Sequence, residues 1–439
     1  MNLFSTPKAP SKLSRLLVAG GGTGGHLFPG IAVVEELRRR FPELDVLFVG
    51  TERGIEARVL PERNERFIPL DVRPLMGRSG VELARSLSVL PKSALSALNC
   101  VRAFQPDVTI GLGGYAAGPI LLAAAAQRVP TALLEQNAHV GLTNRLLAKT
   151  VGRAYLTFEE TLPTFGDTRG RLLGNPVRRA FVQAAHRALH DPIGVEARAR
   201  TVLVLGGSQG ARALNTHVPA ALARAGVRAL GVRVVHQTGA AMVDEVSERY
   251  EALGIDASVV PFIDDVASAY LDAALVVARA GATTLAELCA VGRASVLVPY
   301  PHAAADHQTT NAFALERAGA AICLREEDLS EVALADHVRT LLAHPERRRA
   351  MADAARRRGR PDAAAAIVDD LLAFLGVPSD SVPDPSGDSA NEAPAGSAPS
   401  SIPPSAYGTR RKAKVRRAEL RIRTVGASIR HAQPALAEE

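Results

Sequence analysis

The sequence predicts an α/β protein. Two doubly wound parallel-sheet domains face one another across a cleft, and a disordered C-terminal tail follows. Three observations carry this reading. Short aliphatic runs alternate with amphipathic helical stretches from Arg15 to about Leu375, which is the pattern of repeated βαβ units. A strand, a glycine cluster and a helix open each of two similar halves. The composition is 47% hydrophobic but only 4% aromatic, with no Trp and 36 Gly among 439 residues. Such an aliphatic interior suits parallel strands covered by helices better than a β-sandwich.

Taken in chain order, residues 1–14 read as a loose leader. Residues 15–177 form the first domain. Its first strand, Arg15 to Ala19, runs into Gly20-Gly21-Gly22-Thr23-Gly24-Gly25-His26, and the amphipathic run Ile31–Leu37 follows. Further strands are expected at Val46–Val49, Val108–Ile110 and Thr131–Leu134. Residues 178–345 form the second domain. There Thr201–Leu205 runs into Gly206-Gly207-Ser208-Gln209-Gly210 and a helical stretch from Ala211, with strands at Val232–Val235, Leu275–Val277 and Val296–Val298. Residues 346–375 read as helices that pack back on the first domain. From Gly376 to Gly408 the chain is rich in Pro, Ser, Asp and Ala without apolar periodicity, which reads as a disordered linker. The run from Thr409 to Glu439 holds nine Lys/Arg against three acids. It is expected to be a solvated tail, with an electrostatic arm for an anionic membrane as the sharper alternative.

Composition also narrows the function classes. Cys100, Cys289 and Cys323 are far apart and lack C-x-x-C spacing, so neither a disulfide framework nor a cysteine zinc site is expected, and a reducing compartment fits. The longest charge-free apolar run, Tyr115 to Ala126, is too short to span a bilayer, and no signal-peptide core precedes the first glycines. The net charge of +7 suits anionic lipid or nucleotide phosphate and does not require nucleic acid.

A glycine-rich turn at a helix start gathers bare N–H groups and the positive end of the helix dipole, which makes it an anion site. Gly20-x-Gly22-x-x-Gly25 formally matches the dinucleotide fingerprint, but the acid expected at the end of the next strand is displaced to Glu52, behind Gly50. No P-loop motif occurs. Two facing glycine loops are more telling than either alone, since one can hold a nucleotide diphosphate while the other approaches a second substrate. His26 opens the helix after the first loop, where the dipole favours the neutral ring that a general base requires. The bland alternative is local packing. Thr283 or Thr284 is a candidate helix cap, and Glu287 is either a favourable dipole partner or an acceptor for two ribose hydroxyls. Asp264-Asp265 reads as an N-cap pair. His302, Asp306 and His307 lie in a loop with poor metal-ligand spacing, so no metal is expected.

Eight blocks then stand in a telling order: GGGTGGHLFPG (20–30), GLGGYAAGP (111–119), LEQNAHVGLTNRLLAK (134–149), GNPVR (174–178), LGGSQGARALN (205–215), PFIDD (261–265), RAGATTLAEL (279–288) and PYPHAAADHQTTNA (299–312). Together they strongly resemble the undecaprenyldiphospho-muramoylpentapeptide β-N-acetylglucosaminyltransferases of glycosyltransferase family 28, which make lipid II from lipid I in peptidoglycan synthesis. The resemblance implies the GT-B fold, with UDP-N-acetylglucosamine against the C-terminal half. Lipid I would approach the N-terminal half at the cytoplasmic face of the cell membrane, to which the enzyme is peripheral. It implies no cofactor. The implied sugar-nucleotide contacts are Thr23, Gly24, Gly25, Asn137, Arg178, Ser208, Ile263, Ala282, Thr283, Thr284, Leu285, Ala286, Glu287 and Gln308. Arg178 and the Ser208 loop suit the diphosphate, the Ile263 backbone uracil, Glu287 the ribose, and Asn137 and Gln308 sugar hydroxyls.

Leu134 stands where the family often has a histidine. The stretch Leu75–Leu98 corresponds to the family's membrane-facing patch. It offers Leu75, Met76, Val81, Leu83, Leu87 and Leu90 beside Arg73, Arg78, Arg85 and Lys92, and an ordinary core-facing helix is the alternative. The implied reaction is a single inverting displacement with His26 as candidate base, the leaving charge being met by Arg178, the Ser208 loop and helix N-termini. The competing readings are another GT-B lipid glycosyltransferase, a UDP-N-acetylglucosamine epimerase, a nicotinamide-dependent oxidoreductase and a catalytically silent membrane scaffold.

Overall fold

The computed structural model describes residues 13–72, 80–207 and 210–377, with the side chains of 80–90 left aside. The first sheet has seven parallel strands: β1 (Arg15–Gly20), β2 (Asp45–Gly50), β3 (Arg66–Pro69), β4 (Val108–Gly113), β5 (Thr131–Glu135), β6 (Arg153–Leu156) and β7 (Gly170–Leu172). Their order across the sheet is β3-β2-β1-β4-β5-β6-β7. The second sheet has six: β8 (Thr201–Leu205), β9 (Arg233–Gln237), β10 (Ala257–Val260), β11 (Ala273–Ala278), β12 (Ser295–Leu297) and β13 (Ile322–Cys323). Its order, β10-β9-β8-β11-β12-β13, repeats the logic of the first. All pairings are parallel.

The central strands are aliphatic on both faces because helices cover both. β1, β4, β5, β8 and β11 are buried almost throughout. In each sheet the strand order reverses beside the first strand, between β1 and β4 and between β8 and β11. Ligands of open α/β sheets bind at such switch points, beyond the C-terminal strand ends. Both glycine loops leave their sheets there.

The last two helices divide their allegiance. Pro345–Arg358 packs on the second lobe, against helices Ala282–Val291 and Glu331–Ala343. Ala363–Leu375 returns to the first lobe and packs on helix Gly24–Arg40. Ile367, Val368, Leu371, Leu372 and Leu375 join Leu27, Ile31 and Val34 in one buried cluster. Asp370 fixes the register of this return helix. Its carboxylate accepts from Arg153 Nε, Arg171 Nε and Tyr155 Oη, each at 3.1 Å. Burial first, and the adjacent Asp370 second, push the Tyr155 hydroxyl well above its ordinary pKa, so it remains a donor.

Candidate active site

The first glycine loop is shaped by what it cannot contain. Gly20, Gly21 and Gly22 all have positive φ, at 126°, 135° and 88°. A Cβ on Gly20 would lie 2.3 Å from the Gly113 carbonyl of the neighbouring strand, so only glycine fits. Thr23 then takes the N-cap position of helix Gly24–Arg40, and its carbonyl accepts from His26 and Leu27. Gly24 and Gly25, at the first two helical positions, cannot find an acceptor within the helix.

One of the loop's donors is already taken by a side chain. Glu56 is completely buried and its Oε2 accepts from Gly22 N at 2.7 Å. Its Oε1 accepts from Thr51 N at 2.8 Å and Thr51 Oγ1 at 2.9 Å. A carboxylate thus stands under the loop. In a dinucleotide site the acid would face a ribose. Here the acid beneath the loop is Glu56, four residues beyond the Glu52 noted in the sequence, and it turns back onto Gly22 and Thr51 instead of facing a ribose, which disfavours the oxidoreductase reading of this fingerprint.

His26 occupies the third helical position, half-buried. Its Nδ1 lies 2.9 Å from Gln136 Oε1. Pro29 sits inside the same helix, and a proline has no N–H for the carbonyl four residues back. That carbonyl belongs to Gly25, and Thr283 Oγ1 from the second lobe donates to it at 3.4 Å. Thr283 is therefore not a side-chain cap. Gly281 takes the N-cap position of helix Ala282–Val291.

A second tie between the lobes is built on Asn311, which is fully buried in helix His307–Arg317. Its Oδ1 accepts from Ala138 N at 2.8 Å, and its Nδ2 donates to Asn137 Oδ1 at 3.2 Å. Asn137 therefore has its acceptor engaged, leaving its amide N–H groups for a ligand. The turn that presents Asn137 is organised by buried Glu135, which accepts from Asn137 N, Gly141 N and Asn144 Nδ2. Leu134, beside it, is buried in β5 and supplies no polar group.

In the second lobe, Arg178 and Glu287 meet. Arg178 Nη2 donates to Glu287 Oε1 at 2.9 Å, and its guanidinium lies over the Phe181 ring at 5.0 Å and Phe28 of the first lobe at 5.8 Å. Burial raises the Glu287 pKa, and Arg178 pulls it back down. Among the described residues Oε2 of Glu287 has no hydrogen-bond partner, so one carboxylate oxygen is available to hydroxyls. Gln308 spends its Oε1 on Ala280 N and Tyr300 N, at 3.2 and 3.0 Å, so toward a sugar it can act only as a donor. Ile263 N donates to Gln237 Oε1 at 3.2 Å, which leaves the Ile263 carbonyl for a base. Gln237 Nε2 in turn donates to Gly207 O, linking this loop to the second glycine loop. Asp265 Oδ1 caps Ser268 N, as its position before an apolar run suggests. Thr284 lies in the first turn of helix Ala282–Val291, whereas Ala282, Leu285 and Ala286 turn from it to line a cavity under the helix, with Cys289. Ser208 lies outside the described residues, as do residues 73–79 and the side chains of 80–90 from the expected membrane-facing stretch.

Sequence reading missed Glu56, Gln136, Gln237 and Asn311. Each is a buried polar side chain whose partner is remote in sequence. Gln136 and Asn311 stand inside the motif blocks at 134–149 and 299–312, but nothing local marks the partners they meet.

Comparison with known proteins settles the lineage. Residues 16–156 match the glycosyltransferase family 28 N-terminal domain, and residues 201–367 match the family 28 C-terminal domain. A UDP-N-acetylglucosamine–N-acetylmuramyl-(pentapeptide) pyrophosphoryl-undecaprenol N-acetylglucosamine transferase of Sorangium cellulosum is 49% identical over 371 residues, 83% of this chain and 89% of that protein. This chain belongs to glycosyltransferase family 28. An Anaeromyxobacter transferase of the same name is 46% identical over 81% of this chain and 92% of its own length. The crystal structure of Acinetobacter baumannii MurG superposes with a TM-score of 0.67 at 30% identity, covering 82% of this chain and 99% of that one. A UDP-N-acetylglucosamine 2-epimerase superposes at 0.59 with 15% identity over 84% of this chain and 97% of its own, a likeness of fold. The GT-B architecture and the family 28 assignment expected from the motif blocks thus both hold.

Proposed function

We propose that the chain transfers N-acetylglucosamine from UDP-N-acetylglucosamine to the C4 hydroxyl of undecaprenyl-diphosphate-linked N-acetylmuramyl-pentapeptide, giving lipid II and UDP. The observation that carries this reading is the pairing of Arg178 with buried Glu287 at the second sheet's switch point, together with relatives of that activity at 42–49% identity. A scaffold without catalysis would have no use for a buried carboxylate with a free oxygen, because such a group costs desolvation.

The donor lies against the second lobe. Glu287 Oε2 accepts from the ribose hydroxyls, the Ile263 carbonyl faces the uracil edge, and Gln308 Nε2 and the Asn137 amide donate to the sugar. Arg178, the Ser208 loop and the N-terminus of helix Ala282–Val291 meet the charge that grows on the departing diphosphate. His26, at the start of the first lobe's helix, removes the proton from the attacking hydroxyl. Attack opposite the leaving UDP inverts the anomeric centre. The lipid-linked acceptor reaches the first lobe from the cytoplasmic face of the membrane. No helix among the described residues is long and apolar enough to cross a bilayer. Leu95, 62% exposed on helix Gly80–Phe104, continues the apolar stretch expected there.

The test is transfer of radiolabelled N-acetylglucosamine to a lipid I analogue, with and without chelator. Transfer with UDP release is the expected result, and UDP binding without transfer would overturn the acceptor assignment. His26→Ala should lower turnover by about 10²–10⁴-fold with UDP-sugar affinity nearly unchanged. Turnover close to that of the unsubstituted enzyme would demote His26 to a structural role.

A further inference from the structure

Gln136 follows the last residue of β5 and is buried. Its amide touches two groups. Nε2 lies 3.0 Å from the Leu112 carbonyl, and Oε1 lies 2.9 Å from His26 Nδ1. A peptide carbonyl can only accept. The edge of the amide facing Leu112 must therefore be the NH₂ group, because the reverse orientation would set two acceptor oxygens against one another at 3.0 Å. That choice turns the amide oxygen toward the imidazole. An amide oxygen also only accepts, so Nδ1 must carry a proton. The acceptor-only Leu112 carbonyl thus decides, two links away, which nitrogen of His26 is protonated.

We propose that Gln136 is a positioning residue that locks His26 in its Nδ1–H tautomer and so makes Nε2 the atom that takes the acceptor's proton. This rests on the reading of His26 as the base. Among the described residues Nε2 has no hydrogen-bond partner, so the lone pair is unspent. Gly113 completes the seat for the ring. It has a φ of 93°, and a Cβ there would lie 3.1 Å from Nδ1. The neutral amide also has a consequence that a carboxylate would not. It aligns the ring through a dipole and sets no full negative charge beside it.

The experiment has two arms. Nitrogen-15 NMR of histidine-labelled full-length enzyme at neutral pH reads the tautomer directly, with His26→Ala used to assign the signal. A protonated Nδ1 and an unprotonated Nε2 are expected. A ring protonated at Nε2 alone would overturn the proposal, whatever His26 does in catalysis. In the second arm, Gln136→Leu removes both hydrogen bonds. It should lower kcat by about tenfold or more, leave KM for UDP-N-acetylglucosamine within about twofold, and have no further effect on kcat when combined with His26→Ala. An equal loss in both backgrounds would show that Gln136 acts through the fold and overturn the proposal. Gln136→Glu puts an oxygen where the amide NH₂ meets the Leu112 carbonyl, so it loses the link that orients the side chain and should not restore the kcat lost in Gln136→Leu. A kcat equal to that of the unsubstituted enzyme would show that the Leu112 carbonyl does not set the tautomer and would overturn the proposal. Should His26→Ala itself retain full turnover, the base reading fails while the NMR result on the tautomer still stands.

Discussion

Glu56 accepts three hydrogen bonds from the two loops that enclose it, and Gly21, Gly50 and Gly54 leave the room its carboxylate fills. A Cβ at any of the three would stand under 3 Å from the carboxyl group or its stem. Glu56→Gln preserves the volume but turns an NH₂ group toward an N–H donor. The expected loss is about 1–3 kcal/mol of stability, read by urea denaturation, with a raised KM for the donor as the loop loosens. Unchanged values for both would show that the loop holds its shape without the carboxylate. His236 makes the second prediction at this scale. It is fully buried and hydrogen-bonded to Tyr250 Oη at 3.0 Å and Asn215 Oδ1 at 3.2 Å. Asn215 Nδ2 donates to Thr238 O, so Asn215 Oδ1 accepts from Nε2–H and Tyr250 donates to Nδ1. A neutral ring satisfies every partner, and burial lowers its pKa from 6.5 to about 3. Because the folded-state value lies below the unfolded one, the unfolded chain binds the proton first. Stability present above pH 6.5 is lost as pH falls toward 3, amounting to about 2 kcal/mol at pH 5. Denaturation at pH 7 and pH 5 should show this slope, and His236→Gln should flatten it. Equal slopes in both proteins would mean that His236 already titrates normally in the fold.

The return helix Ala363–Leu375 lends an element-scale test. Leu371 is fully buried against the first lobe. Leu371→Ala should cost about 2–5 kcal/mol, seen as a lower thermal midpoint. A loss confined to the second lobe in hydrogen exchange would contradict the packing described. The strands show what a sequence discloses at this scale. β1, β2, β4, β5, β8, β11 and β12 are legible because both faces are buried and the residues run aliphatic, and β9 is legible through Val232, Val234 and Val235. β3, β6, β7, β10 and β13 escape the same reading. β3 is largely exposed, β6 is buried but only four residues long with Arg153 and Tyr155 breaking its apolar run, β7 is the glycine- and arginine-bearing Gly170–Leu172, β10 is half-buried at its sheet's edge, and β13 is two residues long. Such strands owe their conformation to the neighbour they pair with, which no local pattern encodes.

Across the whole molecule, the site depends on ties between lobes. Asn311 and Asn137 are separated by 174 positions, and Thr283 and Gly25 by 258. The glycine loops, His26 and Glu287 stand out in the sequence because each is local chemistry at a strand end. Their partners do not, because an asparagine in an amphipathic helix carries no mark of the turn it will meet. Asn311→Ala should leave Ala138 N–H without its acceptor and speed hydrogen exchange at that amide, while the β1 and β8 amides stay protected. Unaltered exchange at Ala138 would show that the lobes are held together without this tie. The return helix has a further consequence, in time. The first lobe starts the described chain and also receives its last helix, so the second lobe is in effect an insertion within it. On the ribosome, Leu27, Ile31 and Val34 emerge early, but the helix that covers them comes only after residue 362. At cellular rates of synthesis that interval is on the order of half a minute. For that time the nascent first lobe displays an apolar stripe beside the very loop that will hold His26, a ready target for a chaperone, and the part of the enzyme made first is the last to be finished.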